Sequence, residues 1–482
     1  MKKIAACVGG LALVLAGVAR ADTVADTAGS TAVGTTAVQN PDYAGLQQSK
    51  AVDSALKPAS IPQLQGLADI AHQLYDKDGV LLRGVLNNDL QGNTGGLRQG
   101  VDNGGGYSFG LDWDTRKLLG TGGQVYVLFT QFYGKTTQHN IGNAIKTEGW
   151  YYPVEHFNLS QLAYSQDFFN DKLNFYGGRM NATAPFARPT YGCQFISGSQ
   201  CPYFLPLQTG GFTSFPYVTW GGRLKYNPTP AIYAQVGAFE VDPRRRTEEG
   251  FNWSLNGATG YVLPVELGYS TDDRHYKIGG WFNSAPYTDP LLNSKGLSRV
   301  FNGGTALSYS GGRGGVYALG DQVIYRPNDG AQRNLAVFAS TSMPIDQEEI
   351  FQSQSTAGFY WTGPMAARPY DTLGVMMTYI VFTGRETELM DEELEKAKST
   401  SFINRDEVMT ELNYGYRLAR GVTIIPNFQY IINPDISQRA NARMAPKDAA
   451  VLGVRLSINL GEILGLPSVI PMARAPGYHG LQ

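Results

Sequence analysis

Val408-Met-Thr-Glu-Leu-Asn-Tyr-Gly-Tyr-Arg-Leu418, then Ala419-Arg420-Gly421, then Val422-Thr-Ile-Ile-Pro-Asn-Phe-Gln-Tyr-Ile-Ile432, is a stretch that folds back on itself. Bent about Arg420, it sets Leu412 against Phe428, Tyr414 against Pro426, Tyr416 against Ile424 and Leu418 against Val422. The opposite face sets Glu411 against Gln429, Asn413 against Asn427 and Arg417 against Thr423. Strand side chains alternate faces with period two, so one face of this hairpin is aromatic and aliphatic and the other charged and amide-bearing. A soluble sheet with one wet face has the same alternation. Recurrence along the chain and export from the cell decide between the two.

The alternation recurs from Gly79 onward. Val80, Leu82 and Leu86 interleave with Arg83 and Asn87, and Tyr107, Phe109, Leu111 and Trp113 with Ser108, Asp112 and Asp114. Trp220, Leu224 and Tyr226 alternate with Thr219, Arg223 and Lys225. Tyr261, Leu263, Val265, Leu267 and Tyr269 alternate with Val262, Pro264, Glu266, Gly268 and Ser270. Tyr276, Ile278 and Phe282 oppose His275, Lys277 and Trp281, and Leu373, Val375, Met377 and Tyr379 oppose Thr372, Met376 and Thr378. The last such segment sets Leu452, Val454, Leu456, Ile458 and Leu460 against Gly453, Arg455, Ser457 and Asn459. Gly315 to Tyr325 has no clean face. Tyrosines at both ends of a segment, as at Tyr261 and Tyr269, suit the two aromatic girdles of a lipid-facing band.

The first residues read as a secretory signal over 1–21: Lys2 and Lys3, an apolar core from Ile4 to Val18, and Ala19-Arg20-Ala21 as a small-x-small cleavage site. Its removal takes three of the 39 basic residues and none of the 41 acidic ones, leaving a formal charge of −5. That balance argues against nucleic acid as a partner. No later run of 18 apolar residues exists, so no membrane helix is expected. With 58 glycines, 28 tyrosines and 22 phenylalanines, the composition is that of an all-β chain. A strand wall in hydrocarbon must close, because every backbone polar group there needs a partner. The strand near Val80 and the last strand are the expected closing pair. The expected fold is a closed antiparallel transmembrane β-barrel over 79–461, with short periplasmic turns and long extracellular loops.

Residues 22–60 read as a flexible polar segment and 462–482 as a C-terminal tail. Over 61–78, Leu64, Leu67, Ala68, Ala71, Leu74 and Tyr75 mark one face of a short amphipathic helix. Its place under or inside the barrel is open. Glu386 to Lys398 suggests one or two solvated helical turns, and Arg244-Arg245-Arg246 with Glu248 and Glu249 reads as a solvated run. Cys193 and Cys201, eight residues apart in an exported chain, are expected to form a disulfide. Neither has a His or a further Cys nearby, so no metal site is expected.

Several stretches together resemble the carbohydrate-selective porins of bacterial outer membranes, the OprB type. They are Ser165 to Met180 with its Gly-Arg exit, Phe215 to Pro230 running on to Pro243, Tyr276 to Phe282, Arg368 to Gly374, Pro426 to Pro434 and Ala450 to Ser457. The resemblance spans Gly79 to Leu460. It implies about sixteen strands, a size at which an aqueous channel stays open, and passive diffusion of monosaccharides or small carbohydrates. It carries no cofactor and no catalytic residue. The partners it implies are small carbohydrates, outer-membrane lipid and the barrel-assembly machinery, with monomer or trimer left open. Barrels of this kind usually end on an aromatic, whereas this last strand reaches Leu460 and a further segment follows.

A pore that prefers sugars needs donors and acceptors for hydroxyls and an aromatic surface for ring faces, with binding weak enough to permit exit. Strand parity places Arg83, Arg223, Lys225, Glu266, Lys277, Trp281, Glu411, Arg417, Gln429 and Arg455 on the lumen face. Planar guanidinium donors suit vicinal hydroxyls. Glu266 and Glu411 are expected to accept from sugar hydroxyls and to hold the arginines, and Trp281 to stack on a ring. Arg83 and Arg455 share one face of adjacent closing strands and are the first candidates for the constriction. Two other functions compete. A general or ion-preferring porin shares every barrel feature. An exported hydrolase finds support in Gly106-Tyr107-Ser108-Phe109-Gly110, but that motif needs a sharp strand-to-helix elbow, and here it lies within an alternating strand.

Overall fold

The structure, a computed structural model, describes residues 62–467 except 121, 152–155, 202–203, 247, 329–332, 347 and 438–441. The segments expected at 1–21 and 22–60, and the tail beyond 467, lie outside the described residues.

Alternation is realised as a wall with two unlike faces. The wall begins with β1 (Val80–Gly96), β2 (Gly100–Asp114), β3 (Gly123–Gly134), β4 (Asn158–Phe168) and β5 (Leu173–Met180). It continues with β6 (Thr219–Tyr226), β7 (Ile232–Val241), β8 (Gly260–Ser270) and β9 (Arg274–Asn283). A separate hairpin, β10 (Tyr287–Asn293) and β11 (Ala306–Tyr309), interrupts it. The wall resumes with β12 (Arg313–Tyr325), β13 (Asn334–Pro344), β14 (Phe351–Thr362) and β15 (Thr372–Phe382). It ends with β16 (Asp406–Ala419), β17 (Val422–Ile432) and β18 (Lys447–Asn459). Strand β1 pairs with β18, from Val85 opposite Asn459 to Gly96 opposite Lys447, so sixteen antiparallel strands close and no edge is left.

Strand β8 displays the two faces most plainly. Tyr261, Leu263, Val265, Leu267 and Tyr269 are exposed, while Val262, Glu266 and Ser270 are buried. An exposed aliphatic row of this kind, repeated on β6, β7 and β9, is a surface for lipid and not for water. No helix among the described residues is long and apolar enough to cross a membrane.

The hairpin of β16 and β17 keeps the expected pairs Leu412–Phe428, Glu411–Gln429, Asn413–Asn427, Tyr416–Ile424 and Arg417–Thr423. Its last pair differs. A register shift after Arg417 brings Ala419, not Leu418, opposite Val422. The chain turns on Arg420-Gly421, where Gly421 has φ +73° and a Cβ would stand 2.6 Å from the Asn459 carbonyl oxygen. Gly315 to Tyr325 belongs to β12, with a register shift against β13 between Val323 and Tyr325. Its inward positions are Tyr317, Leu319 and Asp321, so apolar residues on both faces masked the period in the sequence.

Connections at one end are short, such as 271–273 and 420–421, and at the other mostly long, such as 181–218 and 383–405. Two connections at the long-loop end are themselves short, 97–99 and 345–350. The N-terminal helix α1 (Pro62–Gln73) and a π turn (Leu74–Asp78) sit under the short-turn end. Ala71 joins Leu81, Leu464 and Leu466 in a small core, flanked by Leu64, Ala68, Tyr75, Leu82 and Leu460. His72 Nε2 meets the Leu464 carbonyl at 2.9 Å, and Lys117 Nζ donates to the carbonyls of Tyr75 and Asp76 at 2.6 and 2.9 Å. Leu67, expected on the packed face, is exposed. The last strand stops at Asn459, whose side chain accepts from the Glu462 amide. Leu460, expected as its final outward residue, instead begins this short helix.

Two charged runs are not simply solvated. A 13-residue helix, α2 (Gly384–Lys396), replaces the expected one or two turns and buries Glu386, Met390 and Leu394. Arg245 is also buried, donating to Glu240 at 3.0 Å and Glu248 at 2.6 Å.

Candidate functional site

All ten lumen-face residues expected from parity lie on the inner side of the wall. Eight are buried, and Lys225 and Lys277 are half-buried. Inward side chains of an empty sixteen-strand barrel would be wet. Here the described residues of the connections after β3 and β5, among them 136–151 and 181–201, turn into the lumen from the long-loop end and cover them. The hydrogen bonds that hold these inner loops come largely from the wall.

Glu411 accepts from the backbone amides of Ile196 and Ser197 at 2.7 and 2.8 Å. Glu266 accepts from four donors: the Ala187 amide at 2.9 Å, Tyr233 Oη at 2.7 Å, Gln235 Nε2 at 2.8 Å and Tyr317 Oη at 3.0 Å. Both carboxylates anchor loop backbone, which leaves them little capacity for a passing hydroxyl. Gln354 Oε1 accepts from the Leu205 amide at 2.8 Å, and Lys277 Nζ donates to the Arg188 carbonyl at 2.8 Å. Gln91 and Gln429 both donate to the Thr147 carbonyl of the other inner loop, at 3.1 and 2.8 Å. The loops also bind each other: the Gly149 amide donates to the Ile196 carbonyl and the Gly198 amide to the Lys146 carbonyl, at 2.7 and 2.8 Å. Cys193 and Cys201 are bonded within the second loop.

The expected arginines have partners of their own. Arg83 pairs with Asp112, and Arg417 with Glu462. Arg455 lies opposite Asp89 and binds it through Nε at 2.7 Å and Nη2 at 2.8 Å. Arg83 is six residues from Asp89 on β1, about 20 Å along a strand, so Arg83 and Arg455 share a face without being neighbours. Arg223 donates to Gln235 Oε1 at 3.0 Å and Asn174 Oδ1 at 2.7 Å, and Lys225 Nζ stands 4.2 Å over the Tyr233 ring. Trp281 stacks on Tyr317, centroids 6.4 Å apart, and meets Phe212 of the second inner loop edge-on at 6.0 Å. Its indole supports the loop and does not stand free.

Burial pulls Lys146 in the first inner loop down to about 7, against the opposing effect of Glu148. It pushes Glu148 up to about 7, although the Thr147 hydroxyl and the Thr137 amide bind the carboxylate. Half-buried polar residues of the second loop include Thr190, Tyr191 and Gln194. Thr190 donates to Asp321 at 2.6 Å, and Tyr191 stacks on Phe338 with centroids 6.2 Å apart. Sequence reasoning passed over these three because they belong to no strand period. It also passed over Asp89 and Gln91, which period two on β1 puts on the face of Arg83. Ser108 of the hydrolase-like motif lies inside β2, its hydroxyl 2.8 Å from that of Thr130, with no elbow.

A closed sixteen-strand barrel with an apolar exterior and a polar lumen narrowed by inturned loops is the architecture of an outer-membrane porin. The chain belongs to the carbohydrate-selective porin, OprB family, whose profile matches residues 98–460. Porin B of Pseudomonas aeruginosa is 24% identical over 357 residues, which are 68% of this chain and 76% of that relative. A putative porin, QuiX, of Acinetobacter baylyi is 24% identical over 327 residues, 63% of this chain and 69% of that one. The high-pH structure of Pseudomonas putida OprB superposes with a TM-score of 0.73 at 22% identity, covering 81% of this chain and 96% of that one, and so shares the fold. Family and fold together indicate a channel.

Proposed function

We propose that this porin passes monosaccharides and other small carbohydrates by passive diffusion through the water-filled space left between the inner loops and the wall. The observation that carries the reading is the bracing of two inner loops by wall carboxylates and amides, which holds the lumen at one width. Family membership and the resemblance to Porin B support a sugar as the solute. Candidate contacts are the half-buried Lys225, Lys277, Thr190, Tyr191 and Gln194, with Arg223 beside Lys225 on β6. They supply donors, acceptors and a ring face, each contact weak enough by itself to permit exit. Arg83, Arg417 and Arg455 contribute fixed dipoles through their paired carboxylates.

Liposome swelling tests the reading. Vesicles carrying the purified porin should swell faster in isotonic glucose than in a disaccharide, by more than the difference in free diffusion. Added monosaccharide should also lower single-channel ion current. Swelling rates that follow free diffusion alone, with ion current unaffected by sugar, would leave a general porin in its place.

A further inference from the structure

At the long-loop mouth, a group of side chains stands ready for contacts that the bracing of the inner loops does not use. Strand β9 ends at Asn283 and β12 begins at Arg313, and these two residues pair. Asn283 is buried on the lumen face, and its Nδ2 donates to the Gly210 carbonyl of the second inner loop at 3.0 Å. Period two along β12, with Tyr317 and Leu319 inward, puts Arg313 on the same face. Arg313 therefore stands at the rim of the lumen, where the second inner loop is attached.

Its guanidinium is only partly committed. Nη1 donates to Glu349 at 2.8 Å, while Nε and Nη2 have no hydrogen-bond partner among the described residues. The guanidinium carbon lies 5.1 Å from the centre of the Tyr287 ring. Tyr287 in turn stacks on Tyr309, with centroids 5.0 Å apart and planes at 28°. Arg313 and both tyrosines are half-buried, so water reaches them. The Tyr287 hydroxyl has no partner among the described residues.

Tyr309 is the anchored half of the ring pair. Its hydroxyl donates to Asp289 Oδ2 at 2.8 Å, and Asp289 Oδ1 accepts from the Leu291 and Leu292 amides at 2.9 and 2.8 Å. Arg385, at the start of α2, also binds Asp289. Toward the other end of α2, the Ser298 hydroxyl donates to Glu392, and Lys396 Nζ donates to the Val300 carbonyl at 2.6 Å. The hairpin of β10 and β11 is thus tied down along this helix, and its rings are held at the mouth before any solute arrives.

A pyranose presents C–H groups on its faces and vicinal hydroxyls at its edge. Ring surface takes the first by dispersion, and planar N–H donors beside a carboxylate take the second. Asp346, Glu348 and Glu349 all act electrostatically on Tyr287, which favours a neutral solute over an anionic one. We propose that Tyr287, Tyr309 and Arg313, with Glu349, form a capture site for a neutral pyranose at the long-loop mouth, occupied before the sugar reaches the inner loops. The inference rests on the reading of the pore as a sugar channel and adds a site outside the inner loops.

Single-channel recording in planar bilayers, with glucose added to each side in turn, tests it. In the unaltered porin, glucose should interrupt the ion current from both sides. Tyr287→Ala should lower the rate of blocking events about two- to tenfold for glucose added on one side only. Tyr287→Phe, which keeps the ring, should stay near the unaltered rate. A retained heat-modifiable band reports folding, and should Tyr287→Ala lose it, Arg313→Gln is read in the same way. Unchanged blocking rates, or an equal loss from both sides, would overturn the site and leave the sugar-channel reading standing. No block by glucose from either side of the unaltered porin would overturn both.

Discussion

At Arg455 and Asp89 the lumen holds a bidentate ion pair joining the strands that close the barrel. A guanidinium so placed is committed twice, by charge and by geometry, and contributes more to closure than to solute contact. Removing it strands a buried carboxylate. Arg455→Ala is therefore expected to cost about 3–5 kcal/mol, read as a lower temperature for loss of the heat-modifiable band. Asp89→Asn together with Arg455→Gln should recover most of the loss. Glu411 acts differently, because its partners are backbone amides of an inner loop. Glu411→Ala should free the segment around Ile196 and Ser197, raising single-channel conductance and current noise while weakening discrimination among sugars. A constriction built independently of this loop would leave conductance unchanged.

Among the elements, α2 is the one that a shift in pH should move. Burial pushes Glu386 up to about 8, Asp435 and Glu393 raise it further, and Arg299 opposes them. Its proton is thus held more tightly when the helix is docked than when the segment is free. The resulting stabilisation is complete below the ordinary glutamate value of 4.5 and is lost as the pH rises through 8. Hydrogen exchange over 384–396, corrected for intrinsic rates, should show less protection at pH 9 than at pH 5. Glu386→Gln should remove that dependence. Equal protection at both values in the unaltered porin would contradict the assignment. The charged run reads as solvated in the sequence because the helix's apolar contacts, Met390 and Leu394, have no visible partner until the loops are assembled.

On the scale of the whole molecule, stability rests on the exposed aliphatic face being in lipid. Val265→Arg, at the middle of the row from Tyr261 to Tyr269, should cost about 2–4 kcal/mol in a bilayer. Denaturant titration in liposomes measures it, and the inward Gly268 would not report the same depth dependence. At the short-turn end, α1 and the segment after Asn459 pack together over the closing strands. This contact joins the two ends of the described chain, and local sequence gives no sign of it.

Period-two alternation determined, without any structure, most strands of the wall and the face on which each of the ten lumen residues lies. Those features depend only on a residue's neighbours along its own strand. Which inward groups are covered was decided by tertiary structure, because the inner loops around Thr147 and Ile196 reach back across the lumen to strands far away in the chain. Glu266, Glu411, Gln429 and Trp281 acquire their roles only when that distant backbone arrives, and strand parity has no means of expressing depth or long-range contact.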